Sequence, residues 1–407
     1  MSISGEAATP EPADARISKG EERRAAGVAC GAHALHDGYT DLIYVLLPVW
    51  QAEFGLAYAQ LGLLRGIFTG AMAALQIPAG WLAARLGSAP LLAAGTALVG
   101  AGFCLAGLSS GVAMLAVALL IGGIGASTQH PLAAALVARA FAGSRSLKAL
   151  GTYNFAGDIG KMTLPAVAGL MLVAMPWRPT VALLGAMGIG AAVLILTLTP
   201  RFAARHSGTA PAAASAASGH PRTRFGFPIL LSIGVFDSST RMAFLTFLPF
   251  LLVAKGASVT TVGFALTLVF AGGAAGKLIC AFIGARLGVI PTVWLTEGMT
   301  TLSIVALLPL PLEGALILLP VVGVALNGTS SVLYGSVPQL VEPSRHTQAF
   351  GIFYTGTIGA GAIAPAIYGL LGDAFGITAA LIIVACTVLV TLPLAAALRP
   401  AFASPHS

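Results

Sequence analysis

Charge is what this 407-residue sequence has least of. Asp, Glu, Lys and Arg together make up 9% of it, against roughly 25% in a water-soluble domain. A surface so poor in charge cannot stay wetted, which excludes a soluble enzyme and a nucleic-acid-binding domain. Cysteine is scarce too. Cys30, Cys104, Cys280 and Cys386 all lie in apolar stretches with no Cys-x-x-Cys pair, so they read as packing residues rather than a disulfide frame or a thiolate metal site. The seven histidines scatter from His33 to His406 and do not form the repeated clusters of a di-iron membrane enzyme. No phosphate loop of the Gly-x-x-x-x-Gly-Lys type occurs, so ATP is not a direct energy source. Gly122-Gly123-Ile124-Gly125 follows no strand and reads as helix packing. No cofactor and no metal are expected.

What the chain does have is apolar length. It is 57% hydrophobic, with 50 Gly and 24 Pro, two residues commoner in membrane helices than in soluble ones. Runs of about 20 apolar residues can cross a bilayer as helices. Twelve are present, near 27–50, 58–83, 89–109, 112–141, 148–174, 179–199, 228–253, 259–284, 290–311, 314–340, 347–371 and 376–398. The opening residues are polar and mixed in charge, not a cleavable signal peptide, so the first apolar run is expected to direct insertion itself. The expected fold is an all-α integral membrane protein of twelve transmembrane helices in two six-helix, pseudo-symmetric bundles.

The division is a tail over 1–26, a bundle over 27–199, a linker over 200–227, a second bundle over 228–398 and a tail over 399–407. The linker is rich in Ala, Ser and Pro without aliphatic periodicity, as a flexible tether is. The halves repeat one another in register. Ala84-Arg85-Leu86-Gly87 recurs as Ala285-Arg286-Leu287-Gly288, and the same offset carries Pro48 onto Pro249, Gly62 onto Gly263 and Pro90 onto Pro291. Such a match in a six-plus-six chain argues a duplicated unit. Of the 21 Lys and Arg, fifteen fall on the side that holds both termini and the linker and two on the other. That bias predicts cytoplasmic termini, and it explains the net charge of +7 without a nucleic-acid partner.

Twelve spans, the repeat, the long central loop and the Ala-Arg-Leu-Gly turn after helices 2 and 8 resemble the major facilitator superfamily. Residues 80–87 (GWLAARLG) keep the glycines, Leu82 and Arg85 of that family's loop pattern, with Ala84 where the family has Asp. The resemblance implies gating turns at Gly80, Arg85 and Gly87, and again at Arg286 and Gly288. Within the superfamily, residues 33–39 (HALHDGY) with Pro48, 53–64 (EFGLAYAQLGLL), 76–80 (QIPAG) and 125–131 (GASTQHP) are similar to fosmidomycin-resistance-type efflux proteins.

An ionisable side chain near the bilayer centre costs about 2.5–3.5 kcal/mol on insertion scales, so such residues pair or line a cavity. Nine lie within spans: Asp37, Asp41, Asp158, Asp237, Glu297, Arg65, Lys161, Arg241 and Lys277. Spacing nominates Asp237–Arg241 and Asp158–Lys161 as same-face pairs, and Asp41 as the partner of Arg65. Static pairs that only hold helices together are the competing reading. His33, His36, Asp37 and Asp41 share one side of helix 1. That stripe suits a divalent metal, but no thiolate or third histidine lies close in sequence, so a cavity-facing polar stripe is preferred. His130 precedes Pro131 and either faces the cavity or satisfies carbonyls that the proline frees. Gly151, Gly157, Gly160, Pro165 and Gly169 give helix 5 a small-residue face suited to close packing.

The functional expectation is a proton-coupled exporter of a small polar or anionic solute, working as a monomer by alternating access in a bacterial-type inner membrane. A proton-coupled importer is the alternative. A sensor or scaffold would need a soluble domain, and no loop is long enough for one. Solute contact is expected from Tyr39, Arg65, His130, Tyr153, Lys161, Arg241 and Lys277. Proton coupling is expected from His36, Asp37, Asp158, Asp237 and Glu297, with Asp37 first and Glu297 next. No enzymatic activity is expected.

Overall fold

The computed structural model describes residues 17–141, 144–200, 224–342 and 345–402; most of the 200–227 linker and the outer parts of both tails lie outside them. Among the described residues, twelve long helices follow in order: α1 (Lys19–Phe54), α2 (Tyr58–Leu86), α3 (Ser88–Gly107), α4 (Val112–Ala140), α5 (Ser144–Ala174) and α6 (Trp177–Leu198). The second half holds α7 (Gly226–Ala254), α8 (Val259–Leu287), α9 (Val289–Leu307), α10 (Leu312–Ser336), α11 (His346–Phe375) and α12 (Ile377–Ala397). Eleven of them are long and apolar enough to span a membrane. The twelfth, α1, carries His33, His36, Asp37 and Asp41 in its middle, which lowers its hydropathy.

Two boundaries depart from the sequence reading. α1 begins at Lys19 rather than near residue 27, because Ser18 and Glu21 form a reciprocal capping box that satisfies the first free N–H groups. α4 is not continuous: it turns at Ser127–Thr128, between segments Val112–Ala126 and Gln129–Ala140.

The duplication reaches the backbone itself. Gly55 and Gly256 end the first helix of each half at φ of 64° and 91°, and Gly87 and Gly288 end the second at 90° and 84°. These are left-handed conformations that a side chain disfavours, which gives each half the same two glycine-dependent turns.

The apolar core forks. One cluster runs through both halves, from Leu46 and Phe68 to Phe247 and Leu266. Beyond it the core splits into two clusters, one confined to the first bundle around Leu92 and Leu136, the other to the second around Leu230 and Phe353. The bundles are therefore joined at one end and parted at the other. At the joined end α2 packs on α11 and α5 on α8. A Cβ on Gly62 would lie 2.3 Å from the Pro365 carbonyl oxygen, and one on Gly263 2.7 Å from that of Pro165, so glycine is what lets these backbones touch. Thr260 and Thr267 donate to the Gly169 and Met162 carbonyls at 3.0 and 2.6 Å. The Asp373 carboxylate accepts from the N–H groups of Tyr58 and Ala59 at 2.6 and 3.0 Å, capping α2 from the opposite bundle.

Candidate functional site

Between the arms of the fork lies a cavity of about 520 Å³ lined by both bundles. α1 contributes His33, His36, Asp37, Thr40 and Asp41; α2 contributes Arg65 and Thr69; α4 contributes His130; α5 contributes Asn154, Asp158 and Lys161. Arg241 and Met242 of α7, Lys277 of α8, Tyr334 of α10 and Tyr354 of α11 form the facing wall. Asn154 and Tyr354, on opposite bundles, are exposed, which marks the open side.

Glycine again sets the geometry. A Cβ on Gly160 would sit 1.8 Å from the Ala34 carbonyl oxygen, and one on Gly157 2.6 Å from the Asp37 carboxylate. The small face of α5 thus draws that helix against the polar stripe of α1 and delivers Lys161 to it. Lys161 Nζ lies 3.5 Å from Asp37 and 4.0 Å from Asp41. The expected Asp158–Lys161 pair does not form. Asp158 instead meets Lys277 at 2.5 Å, because α8 of the other bundle faces it. Arg65 likewise does not pair with Asp41: its guanidinium lies 4.8 Å over the Tyr44 ring, donates to the Tyr44 hydroxyl at 3.2 Å and bonds Thr69. Asp237–Arg241 is present at 3.7 Å.

Among the described residues, Arg65 is accordingly the cavity cation with no carboxylate within 4.0 Å, and its Nε makes no hydrogen bond. It is nonetheless 3% exposed. Asp237 and Glu297 do not line the cavity. Both are buried, 5% and 1% exposed; Asp237 faces Arg241, and Glu297 Oε1 makes no hydrogen bond.

Two residues expected to touch solute are structural. Tyr39 is 1% exposed, donates to the Leu184 carbonyl and stacks on Phe103 at 4.8 Å between α1, α3 and α6. Tyr153 is buried behind His33 and stacks on its ring at 4.0 Å. Helical periodicity brings both rings near the polar stripe but does not separate one facing the cavity from one a third of a turn away. Of the turn residues, Gly87 and Gly288 carry the positive φ, and Arg286 lies 4.2 Å over Phe282; Gly80 and Arg85 make no contact that assigns them a role. Tyr44 escaped notice although it extends the α1 stripe by one more turn, three residues past Asp41. Tyr334 and Tyr354 had no signal, since only the second bundle's packing brings them in.

A polar chamber lined by charges of both signs between two duplicated helical bundles is the architecture of a membrane transporter. The Major Facilitator Superfamily pattern matches residues 29–239 and 230–406, and the chain belongs to that superfamily. It is 26% identical over 359 residues to the fosmidomycin resistance protein of Escherichia coli (strain K12), covering 84% of each chain. It is 28% identical over 174 residues to multidrug resistance protein MdtL of Shewanella sp. (strain ANA-3), 42% of this chain and 44% of that one. A third match, 32% over 153 residues, is to "Probable sulfoacetate transporter SauU" of Cupriavidus necator, covering 36% of this chain and 34% of that one. Among solved structures, a bacterial homologue of the human lysosomal transporter Spinster superposes with a TM-score of 0.81 at 15% identity, over 95% of this chain and 100% of that one.

Proposed function

We propose that the protein exports a small organic anion across a bacterial inner membrane in exchange for protons, by alternating access, with both termini cytoplasmic. The observation that carries this is Arg65. Three of the four cavity cations already face carboxylates, whereas Arg65 is held in place by Tyr44 and Thr69 with its charge unmatched. A buried unpaired charge is costly, and an anionic solute is what offsets it. Efflux-type relatives and one whose name carries sulfoacetate, a carboxylate and sulfonate in one molecule, support the same reading. With two cations on each bundle's wall, Arg65 and Lys161 facing Arg241 and Lys277, the bundles rock about the bound solute.

Proton coupling is assigned to the Asp237–Glu297 pair rather than to Asp37. Asp37 faces the Lys161 ammonium at 3.5 Å, a partner for its charged form that Glu297 lacks. Glu297 is 1% exposed, its Oε1 makes no hydrogen bond, and among the described residues no cation lies within 4.0 Å of it, so its charged form would be an uncompensated buried charge that a proton removes. A proton on Glu297 leaves Asp237 as the one negative charge against Arg241, and its departure leaves two. Arg241, which lines the cavity and touches Asp237, links the proton site to the solute.

Proteoliposomes with an imposed pH gradient test both assignments across a panel of carboxylates, sulfonates and phosphonates. Arg65→Gln is expected to weaken anion transport by about 10- to 150-fold, the equivalent of one charge-assisted hydrogen bond. Glu297→Gln is expected to abolish gradient-driven flux while solute counterflow persists. Transport of anions unaffected by Arg65→Gln removes the anion reading; gradient coupling retained by Glu297→Gln removes the proton site.

A further inference from the structure

Three imidazoles and one carboxylate converge on the first bundle's cavity wall, and the export reading gives the imidazoles no task. His33, Asp37 and His130 each place a ligating atom within 4.8 Å of the other two. His33 Nδ1 lies 2.8 Å from the Tyr153 carbonyl oxygen. A carbonyl only accepts, so Nδ1 carries the hydrogen, and in the neutral ring Nε2 carries the lone pair. That lone pair faces the Asp37 carboxylate at 3.5 Å. Two electron-pair donors this close require an electrophile between them. A backbone carbonyl behind Nδ1 is also the arrangement that fixes the tautomer and direction of a metal-bound histidine.

A proton on His33 would serve that one contact alone. The remaining donors favour an ion. His130 stands edge-on to both His33 and His36, with ring centroids 5.3 and 4.7 Å away. His36 is 6% exposed, and its Nε2 makes no hydrogen bond while lying 3.9 Å from Asp37. An imidazole nitrogen buried without a partner has lost its hydration with nothing in return, which coordination would recover. Donors around a tetrahedral ion at about 2.1 Å stand about 3.4 Å apart; the His33–Asp37 separation is already there. His130, within 4.8 Å of both, must close by up to about 1.4 Å, and it sits in the first turn after the break in α4 at Ser127–Thr128.

Asp37 and Asp41 share the single ammonium of Lys161, at 3.5 and 4.0 Å. When an ion takes Asp37, Lys161 keeps Asp41. All four donors line the 520 Å³ cavity, so an ion reaches them by the solute's route. We propose that His33 Nε2, Asp37 and His130, with His36 as fourth donor, bind a divalent transition-metal ion of the zinc, cobalt and nickel class. Mixed imidazole and carboxylate donors suit these ions and not magnesium or calcium, which take oxygen.

The test needs no transport assay, so its failure leaves the export reading standing. Cobalt(II) is titrated into purified, tag-free, full-length protein in detergent, followed by its visible ligand-field bands, and zinc is counted by equilibrium dialysis with elemental analysis. One equivalent of tetrahedral cobalt is expected. His33→Gln and His130→Gln should each weaken binding at least tenfold, while His346→Gln, remote from the cavity, changes nothing. His130→Cys keeps a ligand at the same place and should retain cobalt with a new thiolate charge-transfer band, which separates loss of a ligand from loss of fold. Wild-type protein that takes up no ion, or cobalt binding unchanged in the His33→Gln, His130→Gln double variant, overturns the proposal.

Discussion

Lys277 Nζ of α8 meets Asp158 Oδ1 of α5 at 2.5 Å, a charged contact made across the boundary between the two bundles. The lysine side chain is 38% exposed and the carboxylate 10%, so solvent screens the pair only in part. Bodies that rock against each other cannot keep such a contact in every state.

The pair should therefore set which state is populated. Lys277→Met and Asp158→Asn are each expected to slow transport several-fold, and the charge-swapped double variant K277D/D158K to regain part of it. A double-mutant cycle on thermal stability should give a coupling of about 1–3 kcal/mol. Strict additivity would mean that the two charges do not act together.

Asp373 caps α2 from the opposite bundle through the Tyr58 and Ala59 N–H groups. An N-terminal cap contributes about 0.5–2 kcal/mol, here to the closed end alone. Asp373→Ala should shift the population toward opening of that end by a factor of about 2–30. Spin labels at Ala57 and Phe375 read this as a new, longer distance component.

Glu53 and Arg178 form an ion pair at 2.7 Å where α1 and α6 meet their loops. The Arg178 hydrogen bond holds the Glu53 carboxyl below its ordinary value of 4.5. A carboxyl lowered in the folded state adds stability above its unfolded value and loses it as pH falls through the folded one. Glu53→Gln should thus lower Tm at pH 7 and have no effect once the pH is well under 4.5. A difference that persists unchanged into acid would show that the pair's charge is not what matters.

Orientation rests on the basic residues at one face of the membrane. A single cysteine at Ser215, in the linker and outside the described residues, is expected to resist impermeant thiol reagents in intact cells. The same cysteine should react in inverted vesicles. The reverse pattern would turn the protein over.

Low charge, twelve apolar runs and an in-register repeat were enough to establish an all-helical membrane fold in two bundles, because hydrophobic length and backbone self-satisfaction leave a lipid-embedded chain few alternatives. The intramembrane ionisable residues were visible for the same reason: in a chain 9% charged, each one within a span stands out. Asp237 and Arg241 were also correctly paired, being one helical turn apart. Which other charges meet was not legible. Lys161 turned from Asp158 to Asp37 and Asp41, and Asp158 to Lys277, because the approach of α5 to α1 is set by Gly157 and Gly160 and its approach to α8 by a contact 119 residues away. His130 joined the helix-1 histidines the same way, from another helix. Helical periodicity fixes neighbours along one helix to within a turn; the partner across a gap depends on depth, rotation and packing of two helices, which only the tertiary structure supplies.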